Sequence, residues 1–81
     1  MTPQQAMEMV QDALLQVAPE ADLQAVPPDA DFRDLLELDS LDFLAYVEIL
    51  SEAGGRRIEE DDYPKVTTMA GATAFIIADR G

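Results

Sequence analysis

The stretch Asp39-Ser40-Leu41-Asp42-Phe43-Leu44-Ala45-Tyr46-Val47-Glu48-Ile49-Leu50-Ser51-Glu52-Ala53-Gly54-Gly55 decides the fold class. Placed at about 100° per residue, Phe43, Leu44, Val47 and Leu50 fall on one face of a helix. Leu41, Asp42, Ala45, Glu48, Ile49 and Glu52 fall on the opposite face. That second face mixes acids with apolar residues, which a purely solvated face does not need. Asp39-Ser40 starts the helix, and it runs to about Ala53, where Gly54-Gly55 supplies a left-handed stop.

Upstream, Thr2 caps and Pro3 opens a first helix, with Met7, Val10, Leu14 and Val17 recurring at spacings of three and four. Pro19 ends it. From Pro19 to Asp39 the chain is turn-rich, with Pro27-Pro28-Asp29-Ala30-Asp31 at its centre. So long a connection must be tacked to the core, and Val26, Phe32, Leu35, Leu36 and Leu38 are the candidates. Downstream, Glu59 to Tyr63 reads as a short helical turn stopped by Pro64. Thr67 or Thr68 then caps a last helix through about Ala78, with Met69, Ala72 and Ile76 as its core stripe. No strand pattern competes. The expected fold is all-α, a small three-to-four-helix bundle with a long loop between its first two main helices, in one domain over residues 1–81. Met7, Met9 and Met69 read as core filling.

Charge and composition exclude several classes. Asp and Glu number 17 against 5 Lys and Arg, a formal net charge of −12. Phosphate backbones and anionic membrane surfaces need clustered cations, so neither suits this chain. Basic patches on partner proteins do. With no His and no Cys, there is no Ser-His-Asp or Cys-His dyad, no zinc site of the common types and no disulfide framework. Phe43 to Val47 and Ala74 to Ala78, the longest apolar runs, are too short to span a bilayer. The N-terminus lacks a signal-peptide profile, so a cytoplasmic chain is expected. It is also expected to be free-standing and a monomer. Asp29-x-Asp31 fails as a calcium loop, because Arg33, Asp34 and Ser40 stand where a ligand, Gly and Glu are needed. Glu59-Glu60-Asp61-Asp62 reads as a solvated face. Carboxylate pairs abound, but the chain is too small to wall off a catalytic pocket, and no metal is expected.

Ser40 is the residue that raises a function. Alone it is an N-cap or first-turn serine. In context, Leu36-Glu37-Leu38-Asp39-Ser40-Leu41-Asp42-Phe43-Leu44 resembles the phosphopantetheine attachment site of the acyl carrier proteins. The resemblance extends over the chain, through Ile58, the acidic turn and Lys65-Val66-Thr67-Thr68. It implies a carrier and not an enzyme. Ser40 would accept 4′-phosphopantetheine from coenzyme A through a phosphopantetheinyl transferase, as a phosphodiester on Oγ, and the arm would hold acyl groups as thioesters for fatty-acid, polyketide or related biosynthesis. Ser40 then needs no base of its own, because the transferase supplies the chemistry. Asp39, Leu41 and Asp42 match the family's docking residues. With Ala45 in place of a frequent acid, Glu48 and Glu52 share the docking charge with Asp42, and Ile49 joins Leu41 in the apolar contact. The partners implied are the transferase and acyl-loading and acyl-processing enzymes with basic docking patches.

Four further positions carry expectations. Glu37 stands where the family commonly has Gly. Gly54 stands where many members have an aromatic, so Phe43, Tyr46 or Tyr63 would have to fill that volume, or leave space for an acyl chain between the central and last helices. Arg56-Arg57 is expected to complement the carbonyl end of the central helix. Two other readings compete: an aminoacyl or peptidyl carrier, and an acidic helical adaptor without a prosthetic arm.

Overall fold

The computed structural model describes residues 2–78. Four α-helices follow in order, α1 (Pro3–Val17), α2 (Phe32–Leu35), α3 (Ser40–Gly54) and α4 (Met69–Ala78). Two 3₁₀ segments, Leu23–Ala25 and Glu60–Val66, lie in the connections. The all-α expectation holds, and no strand occurs among the described residues.

Local chemistry sets the helix ends. Thr2 Oγ1 accepts the N–H of Gln5 at 3.1 Å and the Thr2 N–H donates to Gln5 Oε1 at 2.9 Å, a reciprocal box that satisfies two orphan donors. The helix stops at Val17, one residue before the position next to Pro19, because the residue preceding a proline is pushed out of the α region. At the start of α4, Thr68 rather than Thr67 is the cap, its Oγ1 accepting the Gly71 N–H at 2.9 Å.

The core lies where α1 packs on both α3 and α4. Ala6, Val10, Ala13 and Leu14 meet Phe43, Tyr46, Val47 and Leu50 of α3, and Met69, Ala72, Phe75 and Ile76 of α4. Gly71 admits no side chain, because a Cβ there would sit 2.6 Å from the Lys65 carbonyl oxygen. The long connection is structured. Val26, Phe32 and Leu38 are buried. Its backbone is tied to the head of α4 by Phe32 N–H to Thr67 O (3.0 Å) and Ala70 N–H to Pro28 O (2.8 Å).

Five expectations need correction. Leu44 is not a core residue; it is 42% exposed, and fully buried Tyr46 takes its place. Phe43, Tyr46, Val47 and Leu50 form the true inward stripe, and Tyr46 is admitted because its hydroxyl donates to the Val66 carbonyl at 3.0 Å. Leu35 does not tack the loop and is 55% exposed. In a four-residue helix Phe32 and Leu36 share the inward side, and Leu35 is turned about 100° from Leu36. Pro64 does not stop its segment, since the 3₁₀ turn runs through it to Val66. Proline's clash in an α-helix is with the carbonyl four residues back, and the 3₁₀ winding bonds three residues back. Arg56 reaches α4 with its side chain. Its Nη1 donates to Phe75 O at 2.6 Å and its guanidinium lies 3.8 Å from the Phe75 ring centroid, so it caps the last described turn of α4. The carbonyl end of α3 is closed by backbone, Gly55 N–H to Glu52 O and Arg56 N–H to Ser51 O, with Gly55 at φ 64°. Gly54 itself is still helical, so Gly55 alone supplies the left-handed stop. Arg57 pairs with Glu59 at 2.9 Å on the surface.

Candidate functional site

Ser40 is exposed and stands as the first residue of α3. The junction before it is built by the chain reversal after α2. There the Glu37 N–H donates to Asp34 O (3.2 Å) and the Leu38 N–H to Arg33 O (2.9 Å), the paired bonds that end a helix through a left-handed residue. That residue is Glu37, at φ 54°. Gly is favoured in this conformation, because an L side chain there costs about 1–2 kcal/mol. The departure noted at Glu37 in the sequence is therefore a strained position held by its neighbours. Leu38 then buries its side chain and Asp39 turns outward.

Asp39 is the N-cap. Its Oδ1 accepts the Asp42 N–H at 2.8 Å. This leaves the Ser40 hydroxyl with no hydrogen bond among the described residues. A serine with that freedom, at the positive end of a 15-residue helix, can carry an anionic substituent on Oγ without breaking the cap.

The sequence-predicted docking residues are dispersed over the outer face of α3. Asp39, Leu41, Glu48 and Glu52 are exposed, Leu41 at 77%; Asp42 and Ile49 are half-buried, and Ile49 packs against the core. Leu44 is the exposed apolar residue that the helical-wheel reading missed. It stands one turn past Ser40 and three residues past Leu41, a spacing that puts all three on one side. Arg33 was also missed, and its guanidinium lies over the Phe43 ring, 4.6 Å from the centroid.

A groove of about 450 Å³ opens beside this face, between Leu44, Glu48 and Glu52 of α3 and the side chains of Ile58 and Tyr63. The space at Gly54 is different. A Cβ built there would lie 3.6 Å from Ile76 Cγ1 and Cγ2 and 3.8 Å from Met9 Sδ. Ile76 and Met9 therefore line that volume, and the aromatic residues expected to do so are engaged elsewhere. Phe43 packs edge-on against Tyr63 (5.5 Å between centroids) and tilted against Tyr46 (5.8 Å), while Phe32 meets Tyr46 edge-on (5.2 Å). Burial within that cluster pushes the Tyr46 hydroxyl above the usual range of a tyrosine.

A curated acyl carrier protein from Rubrobacter xylanophilus is 38% identical to this chain over 56 residues, covering 69% of each. The chain belongs to the acyl carrier protein family. It is accordingly a carrier and not an enzyme. No family model matches the chain. Among the described residues, no helix of this carrier is long and apolar enough to cross a membrane.

Proposed function

We propose that the chain carries acyl groups as thioesters on a 4′-phosphopantetheine arm joined to Ser40 Oγ, and delivers them in the cytoplasm to enzymes of fatty-acid, polyketide or related biosynthesis. The observation that carries this reading is the division of labour at the start of α3. Asp39 does the capping and the exposed Ser40 hydroxyl is uncommitted. When bound, the arm supplies a terminal thiol for the thioester. The residues of the chain hold and present it. Ser40 gives the anchoring oxygen, Asp39 keeps the first turn of α3 in place, and the helix N-terminus favours the anionic linkage.

The docking surface is the outer side of α3. Leu41 and Leu44 offer apolar contact next to the anchor, and Asp42, Glu48, Ile49 and Glu52 continue the face along the helix. A partner with Lys and Arg opposite these acids is complementary to it, the transferase first among them.

Incubation with coenzyme A and a broad-specificity phosphopantetheinyl transferase tests the reading. The intact mass of the wild type rises by one phosphopantetheine and that of Ser40→Ala does not change. A folded wild type that stays unmodified would sink the reading and leave the acidic adaptor in its place.

A further inference from the structure

The chain has 5 Lys and Arg against 17 acids, so each cation has carboxylates to choose from. Within the described residues, Arg56 donates to Phe75 O, Arg57 pairs with Glu59 and Lys65 with Asp62. Arg33 is different. Its guanidinium makes no ion pair and no hydrogen bond among the described residues, and is held instead over the ring of Phe43 at 4.6 Å. A cation on an aromatic face uses none of its N–H donors, so their edge is left for a further acceptor.

Two contacts bring Arg33 to the junction that carries Ser40. The Arg33 carbonyl accepts the N–H of Leu38, two residues before the serine. The Arg33 side chain reaches Phe43, three residues after it on α3, a spacing at which side chains are about 5–6 Å apart at Cβ. An anion on Ser40 Oγ meets two carboxylates there, Asp39 and Asp42, and Asp39 has already taken the Asp42 N–H that such an anion would use. A nearby cation is what this position lacks and what Arg33 offers.

We propose that Arg33 is the anion-binding residue of this carrier, and that its guanidinium takes the phosphodiester through which Ser40 holds the arm. The proposal rests on the reading of Ser40 as the attachment site. It assigns Arg33 a positioning role: planar N–H donors clasp the phosphate oxygens, and the root of the arm is drawn toward the Phe43–Tyr63 side of α3, where the groove opens.

Wild type, Arg33→Gln, Arg33→Lys and Arg57→Gln are loaded with coenzyme A and a transferase, and loading is read by intact mass. The phosphodiester ³¹P resonance of each loaded protein is then compared with that of the same protein unfolded in urea. The thermal midpoint of each loaded form is compared with that of its own unloaded form at low salt. This second comparison cancels what the substitution does to the fold. The expected result is a displaced ³¹P resonance in wild type and Arg57→Gln, most of that displacement kept in Arg33→Lys, and none in Arg33→Gln. The loaded-minus-unloaded midpoint should fall by a few degrees in Arg33→Gln alone. Arg33→Gln with the wild-type resonance and midpoint difference would mean that Arg33 only covers Phe43. Equal effects from Arg57→Gln would reduce the result to general charge, and either outcome overturns the proposal. A wild type that does not load removes the Ser40 reading itself, and the mass measurement reports that separately.

Discussion

Replacing Gly54 by alanine should stabilise this protein, although Gly54 is buried at the contact of α3 with α4. The added methyl would lie 3.6 Å from two carbons of Ile76 and 3.8 Å from the Met9 sulfur, ordinary van der Waals distances that require no movement. Glycine in a helix costs roughly 0.8–1 kcal/mol against alanine, reduced here because Gly54 is the last helical residue. Restricting the unfolded chain contributes about 0.4–1 kcal/mol, which largely restates the same entropy. A net gain of about 1 kcal/mol follows, once the new contacts are included. In a domain of this size that raises the thermal midpoint by about 4–8 °C, measurable by circular dichroism at 222 nm. Phenylalanine at the same position should do the reverse. Its ring has to displace Ile76 and Met9, and overpacking of this kind costs about 1–3 kcal/mol. Gly55→Ala, at φ 64°, should also destabilise, by about 1 kcal/mol. If Gly54→Ala lowers the midpoint, the site is tighter than these distances allow and the reasoning is wrong; if Gly54→Phe raises it, the α3–α4 seam holds usable space.

Tyr46→Phe should cost about 1 kcal/mol or more at neutral pH, since it leaves the buried Val66 carbonyl without its donor. Burial raises the folded-state pKa of Tyr46 above the ordinary value of 10.0, so its contribution is complete below pH 10 and is lost as pH rises beyond it; urea unfolding against pH should show a flatter alkaline limb in the variant. Glu37→Gly removes a left-handed cost of about 1–2 kcal/mol and returns about 0.4–1 kcal/mol of freedom to the unfolded chain, so a gain in the urea midpoint is expected, and a loss would mean that the Glu37 side chain stabilises the junction. Glu48→Lys should slow loading by the transferase at low salt, with the difference from wild type closing as added salt shortens the Debye length to about 8 Å and below; equal rates at all salt concentrations would move the docking face elsewhere.

Much of this protein was legible without coordinates because it is written locally. Helix existence follows from apolar spacing, and helix ends from Thr2, Pro19, Asp39, the Gly54-Gly55 pair and the Thr67-Thr68 pair, which act on backbone within a few residues of themselves; the structure chose Gly55 and Thr68 within the pairs. Ser40 was singled out by the resemblance of residues 36–44 to the carrier attachment site, and its place at the start of α3 is set by the residues on either side. The missing His and Cys excluded whole classes of chemistry by count alone.

Tertiary structure decided what depends on partners far along the chain. Tyr46 displaces Leu44 from the core because a carbonyl 20 residues away accepts its hydroxyl. Arg56 leaves the helix it follows for a carbonyl 19 residues on. Gly54 owes its neighbours to the packing of α1 and α4, which brings Met9 and Ile76 to the same point. Arg33 reads as one more charge in a polar loop until the reversal through Glu37 folds it back over Phe43. A helical wheel ranks positions by angle alone, whereas burial of a polar or charged group turns on whether a distant donor or acceptor is within reach, and only the packed chain supplies it.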